Sequence, residues 1–287
     1  MKTMIAQKME EIFDDFKTQI SNSKFCHLKK IRFDSSNSPD YSNYAVQQLY
    51  LLRYFPAYLC EYKHLYGKIL RDDPDIKLSV LSVGCGCCID YYSLYLAKGR
   101  KVDDIKYLGI DPIPWAYIDN MNNNKFKFIN KHASAVKFAE RVSFNVIFFP
   151  KSLSEIPEND FKTFLSNLSN CNFISKRIYL LSSIMDKGYG YDAARYKDVA
   201  DMLCSNGFMC SKYEVPKEMK EKGALNKLDS QFDYPNDIKS FIVRLNECCL
   251  LYKKNKQNCK SDCKEQLNKQ PILTSRYMSF QINCFEK

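Results

Sequence analysis

The chain has 287 residues, 45% hydrophobic and 14% aromatic, which is enough apolar material for one full-size domain with additions or for two small ones. No run of about 18 apolar residues occurs, and acids interrupt the apolar positions near the N-terminus, so we expect neither a membrane span nor a secretory signal. Thirteen cysteines in such a chain predict reduced thiols and a cytoplasmic location. The net charge of +10 favours RNA or another polyanion as a partner, although abundant lysine also serves solubility alone.

Helical periodicity dominates residues 1–77, which we expect to form an N-terminal extension. Apolar side chains recur at helical spacing over residues 1–24, and a polar loop separates them from a second helical region at 41–70. From Tyr50 onward this region carries a tyrosine at every fourth position, and Pro56 should kink the helix or mark its start. The aromatic face either packs on the rest of the protein or faces a ligand.

Residues 78–112 contain the pattern on which the functional prediction depends. The short apolar run 80–83 predicts a strand that ends at the glycine turn Gly84-Cys85-Gly86. A helical segment follows, and a second apolar run at 107–110 predicts another strand that ends at Asp111. Strand, glycine turn, helix, strand and acid form one βαβ unit of the kind that binds an adenosine-containing cofactor.

These residue types have a physical reason to occupy these positions. Gly84 and Gly86 let the backbone turn sharply and approach a ligand without a Cβ in the way. The N-terminus of the following helix offers N–H groups to a carboxylate or phosphate. Asp111 lies 25 residues after Gly86, where it can accept hydrogen bonds from ribose hydroxyls. The alternative is that the turn simply needs glycine and that Asp111 caps a turn ahead of Pro112.

The segment resembles motif I and the acidic loop of class I S-adenosylmethionine (SAM)-dependent methyltransferases, with Gly84, Gly86 and Asp111 matching that pattern. In that family the glycine turn wraps the methionine end of the cofactor, and the acid holds the ribose. Two positions depart from it: Ser82 stands where an acid often precedes the motif, and Cys87-Cys88 occupies the usual third small position. The missing third glycine argues against a nicotinamide dinucleotide, whose pyrophosphate needs close packing there.

The chain order places further candidates at the same edge of the predicted sheet. A third strand is expected at 126–130, and the resemblance implies that His132 or Ser134 in the following loop lies near the adenine. The apolar run 144–149 predicts a buried fourth strand. The residues after it lie where doubly wound sheets bind ligands, which makes them candidates for the cofactor and the substrate.

The end of this fourth strand carries information about the substrate. Its residues Phe149-Pro150-Lys151-Ser152 do not match the Asn/Asp-Pro-Pro-aromatic motif of methyltransferases that modify base amines, which counts against that chemistry. Lys151 and Ser152 are candidates for holding the substrate, although Ser152 could simply begin the next helix.

The rest of the chain continues the alternation of strands and helices, with a helix at 161–168, a strand at 177–181, a helix at 193–204 and strands at 208–215 and 277–285. The insert 216–276 holds 13 Lys/Arg against 8 Asp/Glu, and we expect it to form a helical cap over the substrate side. Its four clustered cysteines lack the usual zinc spacing, so free thiols are favoured over a metal site: Cys248, Cys249, Cys259 and Cys263.

These elements predict an α/β fold with a doubly wound, seven-stranded, mostly parallel sheet formed by residues 78–215 and 277–287, the last strand being antiparallel as in the family it resembles. The resemblance implies SAM as cofactor and methyl transfer to a small molecule or RNA. A catalytically silent binding or scaffold protein is the alternative. Predicted cofactor residues are Gly84, Cys85, Gly86, Asp111, Pro112, Ser134, Phe149 and Pro150; predicted substrate residues, partly on a lid formed by the N-terminal helices, are Tyr44, Arg53, Tyr54, Lys151 and Ser152.

Overall fold

The computed structural model describes residues 4–22, 31, 33, 39–99, 105–118, 125–184, 189–214, 237–238, 272 and 279–287. The chain forms two compact units: one comprises Met1–Tyr58 and Leu225–Ser275, and the other comprises Leu59–Ala224 and Arg276–Lys287. Most of the predicted insert, with its four clustered cysteines, lies outside the described residues. Its helical nature, its capping role and the state of its thiols therefore stay predictions, as does the predicted division into extension, core and insert.

Two helices make up most of the described part of the first unit. α1 spans Met4–Asn22, and α2 spans Tyr44–Asp72, so that α2 begins in this unit and ends in the second. Pro56 lies inside α2 and does not mark its start. The predicted helical periodicity of α1 places its apolar side chains on one buried face, formed by Met9, Ile12, Phe13 and Phe16.

The second unit is built on parallel strands that alternate with helices. Its strands are β1 (Ser79–Val83), β2 (Lys106–Asp111), β3 (Phe126–Asn130), β4 (Arg141–Val142), β5 (Val146–Pro150), β6 (Asn172–Phe173), β7 (Arg177–Ile184), β8 (Met209–Glu214) and β9 (Ser279–Glu286). Its further helices are α3 (Ile89–Lys98), α4 (Glu158–Ser169) and α5 (Tyr189–Ser205).

Seven of these strands form one sheet with the order β3-β2-β1-β5-β7-β9-β8. Neighbours are parallel, except that β9 runs antiparallel to both β7 and β8. This confirms the predicted doubly wound sheet with an antiparallel last strand. The two-residue strands β4 and β6 form a separate parallel pair that was not predicted, because strands this short leave no periodicity in the sequence.

The central strands are apolar because helices cover both faces of the sheet. In β5, Phe148 contacts the rings of Tyr62 and Tyr66 in α2, whereas the next residue, Phe149, contacts Phe164 in α4. Successive side chains of a strand point to opposite faces, so these contacts lie on the two sides of the sheet. None of the described helices combines the length and the apolar composition that crossing a membrane requires.

Candidate functional site

The sheet reverses its direction of winding between β1 and β5, so a crevice is expected at the carboxyl ends of these two strands. In the described part of the chain, the two non-glycine residues with a positive φ both lie there. Cys88 (φ 60°) directly precedes α3, and Lys151 (φ 57°) directly follows β5. Side chains disfavour this left-handed region, and such strain concentrates at functional sites. The backbone therefore marks the edge of the sheet that the sequence pattern predicts.

The glycine turn after β1 is tied to both neighbouring strands. The Gly84 N–H donates to the Ile110 carbonyl in β2 (2.8 Å), and the Ser152 hydroxyl donates to the Val83 carbonyl (2.5 Å). Gly84 has φ 67°, and a Cβ on it would lie 2.3 Å from the Cβ of Ser152, so that only glycine fits. Ser152, a predicted substrate residue, is buried and closes the turn from the β5 side.

Asp111 at the end of β2 is in direct contact with the glycine turn. Its carboxylate accepts hydrogen bonds from the Gly86 N–H (Oδ2, 2.8 Å), the Ile113 N–H (Oδ1, 2.9 Å) and the Trp115 indole N–H (Oδ1, 3.1 Å). Burial raises the pKa of Asp111, and the three hydrogen bonds act in the opposite direction. The structure thus brings together the acid and the second glycine that the sequence pattern paired.

Trp115 belongs to the same cluster, although the sequence pattern did not single it out. A Cβ built on Gly86 (φ 57°) would lie 3.8 Å from the indole ring, in ordinary van der Waals contact. The ring therefore lies over the glycine turn while its N–H contacts Asp111. The signals that could have found it are its position four residues after the acid and its being the single tryptophan of the chain.

Three buried cysteines pack next to the glycine turn. The Sγ atoms of Cys85 and Cys88 lie 3.7 Å apart, and Cys87 is buried with them. Both sulfurs face Gly109 of β2, where an added Cβ would lie 2.8 Å from the Cys85 Sγ. Burial raises the pKa of Cys85 well above its ordinary value, so its thiol stays protonated. The Cys85 side chain packs against β2, its N–H donates to the Ile110 carbonyl (3.2 Å), and its carbonyl accepts from the Cys88 N–H (2.9 Å). Its contact with a cofactor stays a prediction.

A buried carboxylate lies in the first turn of α3. Asp90 is fully buried and accepts hydrogen bonds from the hydroxyls of Tyr107 (2.8 Å) and Tyr66 (3.3 Å). Burial raises the pKa of Asp90 to about 6, although these hydrogen bonds oppose that shift. Ser82 stands where the resembled family often has an acid, and Asp90 places a carboxylate beside it.

The end of β5 carries a buried ion pair. The Lys151 Nζ lies 2.8 Å from Oε1 of Glu61 in α2, and the two side chains are 14% and 3% exposed. The Ser183 hydroxyl at the end of β7 donates to the same carboxylate oxygen, and Lys151 also donates to the Ile184 carbonyl (3.3 Å). One strand and one helix, β7 and α2, thus hold this ammonium group. The sequence pattern pointed to Lys151 but to neither Glu61 nor Ser183.

The other predicted residues of the second unit are placed differently. Phe149 and Pro150 are buried in the sheet, where Phe149 belongs to the apolar core. Pro112 is exposed next to Asp111. The Ser134 hydroxyl donates to Asp160 at the start of α4 (2.6 Å). Their contact with a cofactor stays a prediction.

The predicted substrate residues of the N-terminal helices lie in the first unit. The Tyr44 hydroxyl donates to Asp15 in α1 (3.1 Å). The Arg53 guanidinium lies 5.2 Å from the centre of the Tyr54 ring, and that ring stacks on Tyr58 with centres 5.4 Å apart. Their proposed contact with a substrate, and the lid to which they would belong, stay predictions.

No family model matches the sequence, and no curated protein matches it. Solved structures that resemble it include the plantazolicin methyltransferase BpumL in complex with S-adenosylhomocysteine (SAH), with 12% identity, a TM-score of 0.42 and coverage of 99% of this chain and 100% of that one. A putative RNA methyltransferase from Pyrococcus horikoshii has 11% identity, a TM-score of 0.38 and coverage of 91% and 93%.

A third resemblance is to phosphoethanolamine N-methyltransferase 2 from Haemonchus contortus, bound to phosphomonomethylethanolamine and SAH, with 11% identity and a TM-score of 0.40. The match covers 78% of this chain and 52% of that enzyme, so this chain spans about half of its length. Likenesses at these scores carry no conclusion about activity. The class of fold follows from the sheet itself, whose strand order and antiparallel β9 are those of class I methyltransferase-like proteins.

Proposed function

We propose that the second unit binds SAM at the carboxyl ends of β1 and β2 and transfers its methyl group to an acceptor. The observation that carries this proposal is the direct contact between the Gly86 N–H and the Asp111 carboxylate, 2.8 Å, beside the point where the sheet reverses. A buried acceptor next to a glycine turn is what an adenosine-containing cofactor requires.

The residues present fit the cofactor. Gly86 would let the backbone approach its methionine end, since a Cβ there would meet no atom nearer than 3.8 Å, whereas the space beside Gly84 is filled by Ser152. The N-terminus of α3 offers N–H groups to the carboxylate of the cofactor. Asp111 would accept hydrogen bonds from the ribose hydroxyls. SAM, when bound, supplies a methyl group on a positively charged sulfur that is already activated for displacement. The contribution of this chain to catalysis is therefore to bind and orient the two reactants.

The acceptor side of the site would lie at the end of β5. Lys151 carries a positive charge that Glu61 and Ser183 hold in place, and it can orient an electronegative group of the acceptor. Glu61 neutralises the Lys151 charge, so only the net charge of +10 favours an anionic acceptor, either a small molecule or RNA. We propose no residue as a general base.

Calorimetric titration with SAM tests the cofactor proposal. We expect Asp111→Ala to weaken SAM binding roughly 10- to 150-fold, because a hydrogen bond to a charged acceptor contributes about 1.5–3 kcal/mol. Asp111→Asn keeps the size of the side chain and one acceptor, and should weaken binding less. Asp201→Ala removes an exposed acid of α5 and is the matched control, with unchanged affinity expected.

Two outcomes contradict the proposal. Wild-type protein that gives no heat with 1 mM SAM does not bind the cofactor in the affinity range of an enzyme, roughly 1 μM to 1 mM. Protein that binds SAM but never converts labelled SAM to SAH, whether total RNA or a metabolite extract is supplied, has a binding function only. Unfolding curves of each variant show that the changes in affinity are not changes in the folded fraction.

A further inference from the structure

Trp115 and a ribose would use the same carboxylate. Asp111 accepts three hydrogen bonds from the protein, two of them at Oδ1, where the Ile113 N–H (2.9 Å) and the Trp115 indole N–H (3.1 Å) meet. A carboxylate has about four acceptor positions in all. The diol of a ribose donates two hydrogen bonds, so it cannot bind Asp111 in full while all three protein donors stay in place.

The indole also covers the turn along which the cofactor would approach. Its Cε2 and Cζ2 atoms lie 3.8 Å from the position of a Cβ on Gly86. The missing side chain of Gly86 therefore leaves room beside the backbone, and the indole ring borders that room. The indole ring thus lies beside Gly86 while its N–H donates to Asp111.

Of the three donors, the indole is the one that can leave. The N–H groups of Gly86 and Ile113 belong to the backbone of the turn and of the segment directly after β2, whereas Trp115 can rotate about its side-chain torsions. Trp115 is half-buried and lies in an irregular segment. It also borders an open surface pocket of about 460 Å³ together with Pro114, Ile118 and Phe126.

We propose that Trp115 is a further residue of the nucleoside site. In the free protein its indole N–H donates to Asp111, and when the cofactor binds a ribose hydroxyl replaces the indole as the donor. This inference rests on the proposed function. Binding would then include the loss of the indole–carboxylate hydrogen bond, so the affinity for SAM is lower than the site could otherwise reach. After rotation the same ring remains beside the site, available to contact the base.

Because Trp115 is the single tryptophan, fluorescence excited at the red edge of indole absorption, where the 20 tyrosines absorb little, reports on this residue alone. We expect emission to change and saturate on titration of wild-type protein with SAH or adenosine, and not with methionine. Trp115→Phe keeps an aromatic ring and removes the N–H, and we expect it to bind SAH roughly 10-fold more tightly by calorimetry. The gain should disappear in an Asp111→Ala background, where the carboxylate for which the indole competes is missing.

Each outcome separates this inference from the proposal on which it rests. If neither wild type nor Trp115→Phe gives heat with SAH, the proposed function fails. If both bind SAH within a factor of two of each other and the emission does not change, the Trp115 inference fails while the proposed function stands. Weaker binding by Trp115→Phe also overturns it, since the indole would then only stabilise the complex. If the variant does not fold, the wild-type emission still decides.

Discussion

Two carboxylates at the carboxyl edge of the sheet are buried to a similar extent but held in different ways. Asp111 is 6% exposed and accepts hydrogen bonds from neutral donors, namely two backbone amides and an indole. Glu61 has a side chain that is 3% exposed and faces the Lys151 ammonium and the Ser183 hydroxyl. A neutral donor can be exchanged for another at small cost, whereas removal of an ammonium leaves an unpaired buried charge.

We propose that this difference gives the two regions different functions. We expect the Asp111 region to exchange a partner for a ligand, as the Trp115 inference requires. The region of Glu61 and Lys151 is held by charge, and we expect it to keep its geometry while a ligand binds.

Lys151→Met should cost about 3–5 kcal/mol in the free energy of unfolding, because it leaves the Glu61 carboxylate buried without its cation. Methionine has a similar length and keeps the backbone preference unchanged, so charge is the main difference. Denaturant unfolding measures the effect. Lys197→Met, which breaks the exposed Lys197–Asp201 pair on α5, is the control and should cost less than about 1 kcal/mol. Equal costs for the two variants would remove the distinction between the regions.

Asp90 is a third buried carboxylate and, like Asp111, accepts hydrogen bonds from neutral donors. Its pKa of about 6 lies above the unfolded value of 3.8, so the folded state holds its proton more tightly. Stability from this group is fully present below pH 4 and is lost as the pH rises through 6, in total about 3 kcal/mol.

The matched variant for this test is Asp90→Asn, which cannot titrate but can still accept from the Tyr107 hydroxyl. The difference in unfolding free energy between wild type and variant, followed from pH 4 to pH 8, isolates Asp90 from all other titrating groups. We expect the variant to become the relatively more stable protein at the alkaline end. A difference that does not change with pH would show that neutral donors alone keep this carboxylate ionised.

Gly84→Ala tests the contact through which the two regions meet, where the turn lies against the residue after Lys151. Gly84 and Gly86 have similar positive φ values, 67° and 57°, so alanine at either position adds similar backbone strain. Only at Gly84 does the new Cβ overlap another atom, the Cβ of Ser152 at 2.3 Å. Gly84→Ala should therefore cost about 1–3 kcal/mol more than Gly86→Ala in denaturant unfolding.

Ser152→Gly combined with Gly84→Ala removes the overlapping atom and should recover part of that loss. Gly207→Ala, at φ 83° with its nearest atom 3.9 Å away, measures the backbone strain alone. Should all three alanine variants lose the same stability, the turn would be free to move away from β5, and the two regions would not be joined rigidly.

The sheet could be predicted from the sequence because buried strands leave a direct signal. β5 and β7 appear in the sequence as short apolar runs bounded by turns, because helices cover both faces of these strands. The contact between Gly86 and Asp111 could be predicted for a related reason, because neighbouring parallel strands end at the same edge. What the two residues bind is a matter of chemistry beyond this geometry, and it stays a proposal.

The charged part of the site could not be predicted in the same way. Ser183 and Glu61 are 122 residues apart, and neither interrupts the periodicity of the strand or helix in which it lies. The position of the Trp115 ring depends on the path of an irregular segment and on a side-chain torsion, for which a sequence has no periodic signal. Two contacts between elements, that of Glu61 with Ser183 and that of Trp115 with Asp111, were therefore missed.

The position of β9 affects how the sheet can be completed during synthesis. β9 lies between β7 and β8, and in the described sheet β8 pairs with β9 alone. The 64 residues between the end of β8 at 214 and the start of β9 at 279 take a ribosome roughly 3–13 s at about 5–20 residues per second. During that interval β8 has no neighbouring strand to join, and the outer edge of β7 can pair with another nascent chain. A polysome translating this message therefore carries unfinished sheets for seconds at a time.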